Sequence, residues 1–243
     1  MIKKLFFRFI YLRVMIFVYC KNLFGNYWHL VNDIYLPLKS KIGFNTLRWI
    51  VNGQYEQGEI EIIKQRIERQ DRIMEIGTGL GFVSVYCAKI VGSENVYTFE
   101  ANPLNIEMAL RVFKKNKVSP HIQNALLADI SGTIDFPINR KSRLASSSLM
   151  ASGEVVKVPQ LVLNDIIRDL QPNFLIMDIE GSEYDVFRMI DFQSIYKIQV
   201  ELHPSILGED KLNEIFYRLK ENGFVADIFM PDGRNYFFKR VQA

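Results

Sequence analysis

Between Asp71 and Pro103 the chain reads Asp-Arg-Ile-Met-Glu-Ile-Gly-Thr-Gly-Leu-Gly-Phe, then a helix-length apolar segment, then Asn-Val-Tyr-Thr-Phe-Glu-Ala-Asn-Pro. Arg72 to Ile76 has the pattern of a buried strand, and Gly77, Gly79 and Gly81 follow where a strand must turn sharply into a helix. The stretch therefore predicts a strand, a glycine loop, a helix and a second strand that ends in Glu100. Glycines at such a turn let the backbone take conformations closed to other residues and let a ligand lie against bare peptide. A helix opening near Phe82 points unpaired N–H groups and the positive end of its dipole at whatever binds. An acid about 20 residues beyond the loop, at the end of the second strand, is placed to take both hydroxyls of a ribose. Such an arrangement describes a nucleoside site.

Spacing narrows the nucleoside. A dinucleotide fingerprint has G-x-G-x-x-G, but the position for its third glycine holds Phe82, and the glycines alternate as G-x-G-x-G. Glu75, two residues before the first glycine, is placed to meet a cationic amino group. Both features favour S-adenosyl-L-methionine, whose amino-acid end is zwitterionic, over NAD with its pyrophosphate. The alternatives are a nicotinamide-dependent oxidoreductase, disfavoured by Phe82 and by the lack of a Tyr-x-x-x-Lys pair, and a catalytically degenerate binding protein.

Strands and helices continue to alternate downstream. Pro103 opens a helix running through Lys117, His121 to Leu127 reads as one strand, and Asp129 follows where adenine is expected, either to bond the exocyclic amine or to form a turn. Thr133 to Pro137 and Val155 to Leu161 read as short extra strands around a polar run, 139–152, that has the composition of a lid. Phe-Leu-Ile-Met-Asp at 174–178 is an unbroken apolar strand ending in an acid, as expected of a central parallel strand. Helices are expected at 164–170 and after Glu183, a strand at Ile198 to Leu202, a helix from Glu209, and a closing hairpin around Pro231-Asp-Gly233. The fold class is therefore α/β, a doubly wound sheet of mostly parallel strands with helices on both faces, its ligands at the carboxyl ends of the strands.

Charge is uneven: 12 basic against 6 acidic residues up to Arg72, and 18 against 21 after it. The overall +3 is too small to suggest a nucleic-acid partner. Residues 1–52 are expected to form a basic, apolar, helical extension and 53–243 the ligand-binding domain. Lys3, Lys4, Arg8 and Arg13 interrupt the apolar run from Met1 to Cys20, which makes it a poor signal peptide and a poor membrane span. It reads either as a helix capping the domain or as one lying on an anionic membrane through residues 1–25. Two separated cysteines, Cys20 and Cys87, suit the cytoplasm, with membrane association at its inner face.

The set Glu75-x-Gly-x-Gly-x-Gly81, Phe99-Glu-Ala-Asn-Pro103, Ser146-Ser-Ser-Leu149, Asp178-Ile-Glu-Gly-Ser-Glu183 and Glu201-Leu-His203 resembles the FkbM-type family of S-adenosylmethionine-dependent methyltransferases. The resemblance spans about residues 53 to 240. It implies a sheet of seven strands with the last antiparallel, and methyl transfer to oxygen, often a hydroxyl of a sugar or natural product. The chain departs from the family's usual Asp-x-Gly-Ala-Asn-x-Gly loop at Glu75 and Thr78-Gly79. The cofactor set is then Glu75, Gly77, Gly79, Gly81, Glu100, Ala101, Asn102, Asp129 and Asp178. The catalytic candidates are Asp178, Glu180, Glu201 and His203. Each pair is two residues apart and shares a face if its strand stays extended, and His203 is the natural base by intrinsic pKa. The acids are hard oxygen donors, but no stretch has metal-ligand spacing and no metal is expected. The acceptor is expected to be a glycan or related small molecule.

Overall fold

The computed structural model describes residues 2–39, 42–138, 154–227 and 233–241. Its centre is a four-residue strand, Ile73–Ile76 (β3), buried on both faces because parallel neighbours flank it and helices cover it. From β3 the chain passes through helix α4 (Phe82–Val91), strand β4 (Val96–Glu100), helix α5 (Pro103–Asn116) and strand β5 (His121–Asn124), building outward on one side. It then returns to the other side of β3 through helix α6 (Leu163–Leu170), strand β9 (Phe174–Met177), helix α7 (Glu183–Met189) and strand β10 (Lys197–Glu201). Helix α8 (Pro204–Glu221) leads into β11 (Phe224–Ala226) and β12 (Asn235–Arg240). The strand order is β11-β12-β10-β9-β3-β4-β5, with β12 antiparallel to β10. The order reverses between β3 and β9, and the crevice beyond their carboxyl ends is where such a sheet binds ligands.

A second sheet stands on the edge of the first. Strand β6 (Leu126–Ala128) pairs with β8 (Glu154–Val162), which also pairs with β7 (Gly132–Ile138). One strand expected from His121 to Leu127 is thus two strands in two sheets. The break has a local cause: the Asn124 amide donates to the carbonyls of Glu100 and Ala101 at 2.8 and 2.9 Å, and the Ala125 N–H donates to the Glu100 carbonyl. The ladder of β5 ends there, and Leu126 turns to Gln160 of β8. The polar run 139–152, with Ser146, Ser147 and Ser148, lies outside the described residues.

Before β3 come helix α1 (Ile2–Leu23), hairpin strands β1 (Trp28–Val31) and β2 (Ile34–Pro37), and helices α2 (Phe44–Val51) and α3 (Gln57–Arg66). The hairpin turns on Asn32 and Asp33, both left-handed at φ 47° and 60°, a conformation these two residues tolerate. Val14, Val18, Ile34, Leu36 and Ile50 join α4 and α5 in one core on one face of the sheet, while α6, α7 and α8 enclose a second core on the other. The extension is therefore fastened to the domain. The regular part of α8 begins at the expected Glu209: Gly208 (φ 76°, ψ 167°) is non-helical and separates it from a first turn, 204–207, that Pro204 opens and His203 precedes.

Candidate active site

A cavity of about 1370 Å³ opens at the β3/β9 crevice. Gly77 makes it: at φ +94° its backbone lies so close to β9 that an added Cβ would stand 1.9 Å from the Asp178 carbonyl oxygen. The next residues turn outward, and Gly79 (φ +54°) donates its N–H to Glu100 Oε2 at 2.9 Å. The other oxygen of Glu100 accepts from the Asn102 N–H at 2.7 Å, and the side chain of Asn105 also bonds the carboxylate. Burial raises the pKa of Glu100 and these three bonds pull it back. A carboxylate has about four acceptor positions, so its orientation is fixed with capacity left for ribose hydroxyls.

Of the expected cofactor residues, Gly77, Gly79, Glu100, Ala101, Asp129 and Asp178 line the cavity, and Asp129 is exposed beyond β6. The other three stand behind it. Asn102 is buried and caps α5, its Oδ1 accepting from the Leu104 N–H at 3.0 Å. Gly81 packs α4 on α5, since a Cβ there would meet Phe113 at 2.6 Å. Glu75 is buried against Ser84, whose hydroxyl donates to it, and against Thr98, and burial pushes its pKa up to about 7. Leu127, Ala128 and Phe136 supply an apolar wall beside Glu100 and Ala101, suited to the face of a purine.

The catalytic candidates meet, though not by the expected extension of strands. Strand β9 stops at Met177, and Glu180 is left-handed at φ 54°; β10 stops at Glu201, and His203 immediately precedes α8. The two turns fold toward each other. His203 Nε2 lies 3.3 Å from Glu180 and 3.9 Å from both Asp178 and Glu201. Its Nδ1 is held 2.7 Å from Oε1 of Glu183, a fully buried side chain that also accepts from the Gly181 N–H at 2.9 Å. Helix α7 thus contributes the group that aims the imidazole. Glu183 reads equally as a helix-start acid in sequence; only the fold of the 178–183 turn shows its partner.

Electrostatics couples these groups. Burial opposes a charged His203, but the bond to Glu183 and the charges of Asp178 and Glu180 outweigh it and raise its pKa to about 9. Burial, Glu201 and Glu180 raise Asp178 to about 8, against the pull of His203. The cluster titrates as a unit. Its acids hold protons more tightly than isolated side chains would, and the charges around the imidazole favour its protonated form.

Two further acids enter from α3, unassigned by sequence. Glu56 caps that helix and Glu59 is buried in its first turn; burial and the neighbouring acids raise both well above the ordinary range, and Glu59 shares a hydrogen bond with Glu201. In sequence 45–69 reads as a helix interrupted by Gly53-Gln-Tyr-Glu56, and that interruption is the signal that this segment reaches the site. Against these carboxylates stand His203 and the half-exposed Arg234, whose guanidinium is 3.2 Å from Glu201. Donor atoms of Asp178, Glu201 and His203 all lie within 4.8 Å of one another, close enough to share a metal ion.

Residues 75–226 match the family model described as the methyltransferase FkbM domain. The chain belongs to the FkbM methyltransferase family. S-adenosylmethionine is accordingly its cofactor, which sets the nicotinamide reading aside. The residues fit that group: a pre-oriented Glu100 and an apolar wall at one end, a cluster in which carboxyl groups outnumber cations at the other. Among curated proteins, this FkbM chain is 33% identical over 79 residues to the ribosomal protein L11 methyltransferase of Bacillus velezensis, covering 31% of this chain and 25% of that one. The corresponding Bacillus cereus protein is 23% identical over 124 residues, covering 44% and 39%. The match thus spans between a quarter and two-fifths of these relatives. Among solved structures, the FkbM methyltransferase of Methylobacillus flagellatus superposes with a TM-score of 0.49 at 15% identity, covering 81% of this chain and 53% of that one. The ribosomal protein L11 methylase of Lactobacillus delbrueckii subsp. bulgaricus gives 0.47 at 15%, covering 79% and 81%.

Proposed function

We propose that this FkbM methyltransferase methylates a hydroxyl oxygen, on a sugar, glycan or related small molecule. The observation that carries this is the imidazole of His203, which stands behind the cavity lining, clamped by buried Glu183 and turned toward the lining residues Asp178, Glu180 and Glu201. A hydroxyl is a weak nucleophile that must shed its proton as it attacks, and a positioned acid–base group supplies that assistance. Asp178 and Glu201 are placed to accept hydrogen bonds from acceptor hydroxyls, and His203 takes the proton once it has released its own. Glu100, Gly79 and Ala101 would hold the nucleoside, and Asp178 with Glu56 the cationic end of the cofactor. Bound there, S-adenosylmethionine supplies a methyl group activated by its sulfonium. Aligning that group with the oxygen contributes roughly 7 to 11 kcal/mol in well-oriented reactions. Two unpaired cysteines, Cys20 and Cys87, support a reducing, cytoplasmic setting.

A second reading, transfer to an amine such as a lysine side chain, is favoured by the surplus of carboxylates at the acceptor end, and the L11 methyltransferases are named for a protein acceptor. The test is transfer of labelled methyl from S-adenosylmethionine to a panel of hexosides and to lysine peptides. Label in alkali-stable ethers of the sugars supports the hydroxyl reading; label confined to methyl-lysine overturns it. Titration with S-adenosylhomocysteine runs beside it, with Glu100→Ala expected to weaken binding by about 1.5 to 3 kcal/mol. Undiminished binding by that variant would remove Glu100 from the cofactor site.

A further inference from the structure

Helix α1 is buried on one side and bare on the other. Val14 and Val18 lie in the core, whereas Phe9, Leu12, Ile16, Tyr19 and Leu23 are 53–67% exposed. Their spacing of three and four residues gathers all five within about 80° of the helix circumference at 100° per residue. Arg13 is exposed beside this stripe, and Lys3, Lys4, Arg8 and Lys21 stand on the same helix. The first acid in the chain is Asp33. Among the described residues no helix is long and apolar enough to cross a membrane. An apolar stripe on a helix whose only charged residues are cations is complementary to an anionic lipid surface, where aliphatic side chains enter the acyl boundary and basic ones meet headgroups. A second copy of the same helix fits less well, because it would bring like charges together.

The helix also reaches the cavity. Tyr11 lines its mouth and packs on Phe44 with ring centroids 4.8 Å apart, and Trp49 of α2 lines it too. We propose that α1 seats the protein on an anionic lipid surface and that the hydroxyl acceptor enters from that surface, its polar part in the cavity and its apolar part among Tyr11, Phe44 and Trp49. The acceptor half of this inference rests on the methyl-transfer reading above.

The test is co-sedimentation of the full chain with phosphatidylcholine vesicles, with and without phosphatidylserine, beside methyl transfer to a diacyl hexoside held in the vesicles and to the free hexose. A Leu12→Ser/Ile16→Ser/Tyr19→Ser variant changes only exposed side chains, and unchanged S-adenosylhomocysteine affinity verifies its fold. Expected are binding to the anionic vesicles, weakened about tenfold or more in that variant and about fivefold in Arg13→Gln, and faster transfer to the vesicle-held hexoside, an advantage the triple variant loses. Absence of sedimentation, or sedimentation equal in parent and triple variant, overturns the docking. Dimerisation of the parent that the triple variant abolishes also overturns it, by assigning the stripe to a second copy. Docking with transfer to the free hexose alone overturns the acceptor half. Docking with transfer to no hydroxyl sinks the glycan reading and leaves the lipid surface standing.

Discussion

Glu183→Gln isolates what the buried carboxylate does for His203. Glutamine keeps the volume of a side chain with no exposure and can still accept from the Gly181 N–H, so the 178–183 turn should hold. What disappears is the negative charge 2.7 Å from Nδ1. A hydrogen bond to a charged group contributes about 1.5 to 3 kcal/mol. At about 1.36 kcal/mol per pKa unit, and without solvent to screen it, the His203 pKa should fall by roughly one to two units from about 9. The chain has three histidines, and burial holds His29 below its ordinary value, so a proton NMR titration can follow His203 directly. If His203 must be neutral to accept the acceptor's proton, the acid limb of the pH–rate profile should move down by the same amount. A parent His203 that titrates near 6.5, or one that Glu183→Gln leaves in place, would refute the clamp. A shift in NMR without a shift in the rate profile would refute His203 as the base while keeping the electrostatics.

Three other perturbations probe the frame. Gly77→Ala must move the Asp178 carbonyl or the loop, since its Cβ would stand 1.9 Å from that oxygen at a positive φ; a loss of about 2 to 5 kcal/mol and of cofactor binding is expected by thermal melting and titration, and a melting point within 2 °C of the parent's, roughly, would contradict it. Lys197 is buried with its ammonium 2.9 to 3.0 Å from both oxygens of fully buried Asp71, so Lys197→Met strands a charge and should lose about 3 to 5 kcal/mol, much of it recovered by adding Asp71→Asn; no recovery in the double variant would reject the pairing. The pKa of Glu75 is raised from 4.5 to about 7 on folding, so the folded state binds more protons than the unfolded one in that window and stability falls as pH rises through it, by about 3 kcal/mol. Glu75→Gln should flatten the dependence of ligand-free unfolding free energy between pH 5 and 8 by about that amount, and an unaltered slope would place the titrating group elsewhere.

The parts of the fold that sequence revealed are those where local chemistry and tertiary demand coincide. Phe174–Met177 is apolar at every position and Ile73–Ile76 at every position but Glu75, because both faces are covered, and Pro103 opens a helix behind the Asn102 cap. The hairpin at 28–37 has no clear sequence mark because its turn is Asn32-Asp33, without the glycine that usually accompanies two left-handed residues in succession. The break after Asn124 depends on carbonyls of Glu100 and Ala101, 23 to 24 residues away, and no periodicity within the strand records that. The same division runs through the site. Asp178, Glu180, Glu201 and His203 could be named because each ends or follows a strand, and strand ends of a doubly wound sheet converge. Their contacts arise from something alternation does not encode: a left-handed Glu180 and a His203 at the turn into α8 whose ring is held by Glu183. Glu56, Glu59 and Glu183 were harder, since an acid in a first helical turn is favoured whether or not anything faces it. What separates Glu183 from an ordinary helix-start acid is its contact with His203, and what separates Glu56 and Glu59 is burial against other acids, which disfavours their charged forms in the ligand-free chain. Carboxylates held together at that expense are intelligible if a cation completes them, and the cofactor of this family brings one in its sulfonium and another in its ammonium group.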